Sequence, residues 1–162
     1  MNLHLDIYVP VIASVIVHEI AHGYAAYALG DPTAKEMGRL TLNPVAHMRA
    51  FGTVVLPLGL LMLTGGKFMF GWAKPMPVQD HRLGTPDRDI AIVCVSGPAA
   101  NIVLALLCWM AVKSMDAIGI GLIVRHWLVT GVMINCFLAA FNLIPVRPLD
   151  GWNILHYLRH RG

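Results

Sequence analysis

The sequence predicts an all-α protein: a polytopic membrane helix bundle with about four membrane segments, three clear and one short or re-entrant, joined by partly extended loops. Composition and run length carry that expectation. Apolar residues fill 57% of the 162 positions and charged residues only 13%, against roughly 45–50% and about 25% in soluble domains. The mean hydropathy is +0.64. Several apolar runs approach the ~20 residues that a helix needs to cross a hydrocarbon core about 30 Å thick. This balance excludes a disordered chain, a coiled coil and a disulfide-stapled secreted scaffold. The net charge of +3 comes from Lys and Arg scattered through short linkers, which suits membrane-flanking loops and gives a nucleic-acid partner no support.

Along the chain, the first run is Ile7 to Leu29, closed by Gly30, Asp31 and Pro32. At 1.5 Å per residue it reaches about 34 Å. With no Lys or Arg ahead of it and no small-residue cleavage site behind, it reads as a retained segment rather than a signal peptide. The second run is Ile90 to Val112. The third extends from about Trp127 to Leu143, after an apolar, flexible stretch from Ile118 to Val124 and an interfacial Arg125-His126 pair. A fourth candidate, Phe51 to Thr64, is short and carries Pro57. It either spans, which places both termini on one side, or re-enters, which places them on opposite sides; four spans is the reading adopted. The linkers from Asp31 to Ala50 and from Gly65 to Asp89 hold most of the Pro, Gly and charge, and neither makes a domain. Residues 1–162 therefore read as one membrane-embedded unit, ending in an interfacial segment from Gly151 to Arg161. Cys94, Cys108 and Cys136 all lie in apolar stretches, where a thiol acts as a small hydrophobe.

Ionisable side chains are costly inside a membrane, and here they cluster. His18, Glu19 and His22 sit mid-run in the first segment as HEIAH. Residues four apart share a helix face, so both imidazoles can reach one metal with the glutamate alongside. HExxH is a two-ligand zinc motif with a general base. A chance pair of histidines would be unremarkable among eight, but the chain has only two glutamates, and three ionisable groups buried without a metal would cost several kcal/mol. His4, His47, His81, His126, His156 and His160 read as interfacial or solvated. A third ligand must come from elsewhere. Asp150 is the candidate, in NLIPVRPLDG at 142–151. Pro145 and Pro148 break the helix there and allow the chain to turn inward. Asp150 could equally be the N-cap of a short helix over 152–158. Asn135 reads as interhelical glue, worth about 1 kcal/mol, and Gly97-Pro98 as a helix kink.

HEIAH at 18–22, GWAKPMPV at 71–78, SGPAAN at 96–101 and NLIPVRPLDG at 142–151 together resemble the site-2 protease family of intramembrane zinc metalloproteases. The resemblance runs from about His18 through Trp152. It implies a core of three membrane helices, one zinc ion with a catalytic water held by His18, His22 and Asp150, and Glu19 as catalytic base. It further implies that Asn142 binds substrate or stabilises the oxyanion, that Asn101 sits near the same cavity as a substrate contact, and that a partly extended segment including Trp72, Pro75 and Pro77 aligns the substrate. Trp152 departs from the family's pattern, standing where many relatives carry a second glycine. The expected form is a compact core without appended regulatory domains.

The implied reaction is peptide hydrolysis in or near transmembrane segments of membrane-protein or peptide substrates, by an integral, multi-pass membrane protein. A helical substrate hides its carbonyls in i to i−4 bonds and must unwind first. The competing expectation is a non-catalytic membrane binding or chaperone protein on the same fold, with a structural metal. A structural site closes with four protein ligands, whereas a catalytic one keeps an open position.

Overall fold

The computed structural model describes residues 5–48, 60, 62–64, 74–118 and 121–159. Among them the chain forms α1 (Leu5–Ala28), α2 (Thr33–Glu36), α3 (Pro86–Ile118), α4 (Leu122–Asn142) and α5 (Asp150–Arg159), with 3-10 turns at Pro44–His47 and Asp80–Arg82. No strand occurs among the described residues. The stretches Val9–Ala28, Pro86–Met115 and Leu122–Asn142 are long and apolar enough to cross a membrane. The fourth candidate, Phe51 to Thr64, lies almost entirely outside the described residues, as does Trp72.

The helix ends follow local chemistry. After α1 the chain closes in a Schellman turn: Gly30, at φ 107°, donates to Tyr27 O, and Asp31 N to Ala26 O. Helix α3 opens on Pro86, whose missing N–H costs nothing at a first position, and Asp89 Oδ2 accepts from Thr85 N at 2.7 Å. Helix α4 stops at Asn142, before Pro145 and Pro148. Three boundaries differ clearly from the sequence reading. Helix α3 extends four residues before Ile90 and six beyond Val112, and α4 begins at Leu122, taking in Arg125 and His126. Hydropathy marks where the apolar face ends, whereas a helix continues until a breaker stops its hydrogen bonds, and none stands between 122 and 142.

Helix α3 is the central element, packed on α1, α4 and α5, while α1 and α4 also touch. The bundle buries polar side chains among mostly small apolar ones and turns large apolar ones outward. Ser14, Asn101 and Asn135 are fully buried, whereas Leu106 is 54% exposed and Phe137 64%. In water such an arrangement exposes large side chains for no gain; against lipid, small and amide-bearing contacts let helices approach and bond.

The linkers fold back onto this bundle through buried charges. Asp31 Oδ1 accepts from Thr33 N at 3.0 Å and from the Thr33 hydroxyl, and its Oδ2 accepts from Gln79 N at 2.6 Å. Burial alone would raise the Asp31 carboxyl, but the hydrogen bonds from Thr33 and Gln79, with the Arg82 charge, outweigh it and hold the group below its ordinary value. A carboxyl so lowered contributes stability that is complete above the unfolded value of ~3.9 and lost as pH falls through the lower folded value. The unchanged protein in detergent should therefore show a drop in melting temperature below about pH 4. Asp31→Asn should cost roughly 1–3 kcal/mol at neutral pH and show a smaller acid drop. An acid drop of equal size in the variant would refute the assignment.

Candidate metal centre

His18 and His22 lie one turn apart on α1, their rings edge to face with centroids 4.6 Å apart. Asp150, the first residue of α5, comes to them from the far end of the chain. The two Nε2 atoms are 3.0 Å apart, and Asp150 Oδ2 lies 3.3 Å from that of His18 and 3.4 Å from that of His22. Both imidazoles are buried. Asp150 thus stands inside the first turn of the helix, not before it as a cap, with its carboxylate facing the imidazoles.

Hydrogen bonding fixes which atoms carry protons. His22 Nδ1 sits 2.7 Å from Val93 O, and a carbonyl only accepts, so Nδ1 holds the proton and Nε2 keeps its lone pair. His18 Nδ1 lies 2.6 Å from Asn101 Oδ1, which leaves its Nε2 in the same state. Asp150 Oδ2 is buried and receives no hydrogen bond. With both imidazoles neutral, three acceptors converge on one point, and lone pairs 3.0–3.4 Å apart are reconciled by a cation between them. A tetrahedral ion with bonds of about 2.0–2.1 Å has ligand–ligand edges of roughly 3.3–3.4 Å. The two Asp150 spacings match that and the His18–His22 spacing, at 3.0 Å, is shorter; two imidazoles with one carboxylate are a donor set suited to zinc. Among the described residues this is the single group of three or more such ligands within reach of one ion.

Helix α3 presses against the imidazoles at Gly97. A Cβ built there would stand 2.5 Å from Nε2 and Cε1 of His22 and 2.6 Å from Cε1 of His18. The Gly97-Pro98 pair, read as a kink, is the place where one helix backbone passes the ligands of another.

Glu19 and His22 line a cavity of about 290 Å3 with Pro75, Met76, Asn142 and Asp150. Glu19 Oε2 accepts from Met76 N at 2.6 Å. The irregular segment 74–79 that supplies Met76 is strapped in place. The buried Arg39 guanidinium donates to Pro75 O at 2.8 Å and to Lys74 O at 2.7 Å, and Lys74 N donates to His47 O at 2.8 Å. Burial lowers the Arg39 pKa, with the Glu19 charge opposing the shift.

Of the expected substrate contacts, Pro75 lines the cavity, Pro77 is half-buried on the same segment but is not part of the lining, and Trp72 lies outside the described residues. Asn142 lines the cavity with its amide nitrogen bonded to Leu138 O at 2.9 Å. Asn101 stands elsewhere than expected: it is completely buried behind His18, with both ends of its amide engaged by protein, so no substrate reaches it. His47, expected at an interface, is 2% exposed with Nε2 on Thr41 O at 2.8 Å. Its chain position at a loop said nothing of the fold that closes over it. Trp152 lies under the Arg147 guanidinium, 5.0 Å from ring centroid to carbon. Arg39 and Asp31 escaped the sequence reading, because their partners are backbone groups, which leave no mark in a residue pattern.

A family model described as "Peptidase family M50" matches residues 7–119. Among curated proteins the chain is 36% identical over 156 residues to "Putative zinc metalloprotease YwhC" of Bacillus subtilis, covering 93% of this chain and 67% of that protein. It is 30% identical over 166 residues to "Putative zinc metalloprotease Rip2" of Mycolicibacterium smegmatis, covering 94% and 58%. It is 35% identical over 120 residues to "Putative zinc metalloprotease sll0528" of Synechocystis, covering 72% and 29%. The chain thus spans from under a third to about two thirds of these relatives' length. No solved structure matches.

The close passage at Gly97 generates a prediction. Gly97→Ala must displace at least one imidazole, an overpacking cost of about 1–3 kcal/mol, so divalent-metal affinity should fall about tenfold or more while helix content is kept. Competition titration against a chromophoric chelator, with circular dichroism alongside, measures both. Unchanged affinity in the alanine variant would contradict the packing argument.

Proposed function

The chain belongs to peptidase family M50, and on that footing we propose that it is a multi-pass membrane zinc metallopeptidase that hydrolyses peptide bonds in or near the transmembrane segments of its substrates. In this reading His18, His22 and Asp150 hold the ion and Glu19 is the catalytic base. One observation carries the proposal: the ligand atoms of His18, His22 and Asp150 meet within reach of one ion with a further carboxylate, Glu19, lining the same cavity, in a bundle whose outer surface is apolar. Zinc bound there supplies Lewis acidity, which brings the deprotonation of water near neutral pH and polarises a peptide carbonyl.

The chain's own residues do the rest. Glu19 follows His18 directly in the helix and lines the same cavity as His22 and Asp150, so it is placed to take a proton from the attacking water and return it to the leaving amine. The Met76 N–H holds its Oε2, which orients the carboxylate. Asn142, once its amide leaves Leu138 O, can donate to the oxygen on which negative charge develops. An unwound substrate would lie along the segment that includes Trp72, Pro75 and Pro77, in which Arg39 holds Lys74 and Pro75, Glu19 holds Met76 and Asp31 holds Gln79. Such a strand needs backbone already extended, which the proline-rich composition favours. Among the described residues the set has three ligands, and a glutamate beside them supports a catalytic over a structural ion.

The test uses purified protein with single-span substrates in detergent or lipid, and mass spectrometry to locate the cut. Chelation should stop cleavage and zinc should restore it. Glu19→Gln should retain zinc and lose about 100-fold or more in rate. Cleavage by the glutamine variant at the original rate would remove Glu19 from the mechanism.

A further inference from the structure

We propose that Asn135, with Ser14, is a positioning residue for the metal centre: through Asn101 it sets the direction of a buried hydrogen-bond relay that compels His18 to present its Nε2 lone pair. The inference rests on the metal-binding reading above and goes one step deeper. The relay crosses three helices. His18 Nδ1 lies 2.6 Å from Asn101 Oδ1, Asn101 Nδ2 donates to Asn135 Oδ1 at 2.7 Å, and Asn135 Nδ2 donates to Ser14 Oγ and to Gly131 O, each at 2.8 Å. Ser14, Asn101 and Asn135 are each no more than 1% exposed, so water cannot rearrange these bonds.

The direction follows from which members cannot reverse. An asparagine amide can present either end, and a reversed Asn101 would offer its NH2 group to His18. The imidazole would then have to accept at Nδ1 and carry its proton on Nε2, where no metal could bind. Asn101 is prevented from reversing by what faces its far end: Asn135 Oδ1, and more distantly Ser14 O at 3.4 Å. Asn135 is prevented in turn by the Gly131 carbonyl, which accepts and never donates. The polarity is thus anchored in the backbone of α4 and read out at α1. A partner that fixes a ligand's tautomer is typically worth 10–100-fold in metal affinity; here the fixing group stands two bonds further back.

The experiment compares zinc affinity, by competition titration, in the unchanged protein, Asn135→Leu, and the double variant Asn101→Asp with Asn135→Leu. Thermal unfolding is followed on each. A leucine at 135 removes the acceptor that orients Asn101, so affinity should fall at least tenfold. A carboxylate at 101 accepts at both ends and has no wrong orientation, so the double variant should recover most of that loss. A purely structural role for Asn135 would lower the unfolding temperature, and Asn101→Asp would not bring affinity back. Should Asn135→Leu not fold, Asn135→Thr replaces it: its hydroxyl can satisfy the Gly131 carbonyl yet is too short to reach Asn101, and affinity should fall by the same margin. Unchanged affinity in a folded variant at position 135, or no recovery in the double variant, overturns the relay. If the unchanged protein takes up no zinc, the metal reading fails and the relay with it; if it binds zinc and the variants match it, the relay alone fails.

Discussion

Three lone pairs pointed at one another inside a helix bundle form the constraint on which the rest of this molecule depends. Without a cation, His18, His22 and Asp150 place acceptors 3.0–3.4 Å apart in a site that excludes most water, an arrangement that low dielectric makes expensive. Everything around the site serves to hold it open to a cation. Val93 O and Asn101 take the Nδ1 protons, Gly97 makes room for the rings, and α5 delivers Asp150 after a proline-broken turn. The neighbourhood is built from groups whose hydrogen-bonding sense is fixed, so a neutral imidazole has only one way to sit.

The same logic explains the inverted bundle. Lipid offers apolar side chains no reason to bury themselves, so the interior is free for small residues and amides. Ser14, Asn101, Asn135 and Thr130 occupy the contacts between α1, α3 and α4, while Phe137, Leu106 and Trp109 face outward. In a soluble bundle those interior positions would be leucines, and no amide relay could reach the ligands. The environment that makes the histidines costly also permits the polar scaffold that orients them.

A second layer of charge holds the irregular segment 74–79. Arg39 grips the carbonyls of Lys74 and Pro75, Asp31 grips Gln79 N, and Glu19 grips Met76 N. All three side chains bond to main chain, so an irregular stretch with no sheet or helix of its own has its polar groups satisfied. The carboxylate assigned as base is thereby tied to the segment assigned to substrate, and a shift in one is felt by the other.

By itself the sequence determined the apolar class, the three long helices and the HEIAH face, while Asp150 stayed open between ligand and helix cap until the family resemblance pointed to the first. The first three depend on properties that repeat or stand out along the chain: run length, period 3.6 and the scarcity of glutamate. Tertiary structure alone decided that Asn101 backs His18 rather than facing substrate, that Gly97 lets one helix pass the ligands of another, and that His47 is enclosed. It also decided that Arg39 and Asp31 matter, although as residues they looked like linker charges. The physical reason is common to all five. Their roles lie in which backbone atom or which neighbouring helix comes within 3 Å, and such contacts are set by packing between distant segments, about which one-dimensional patterning is silent.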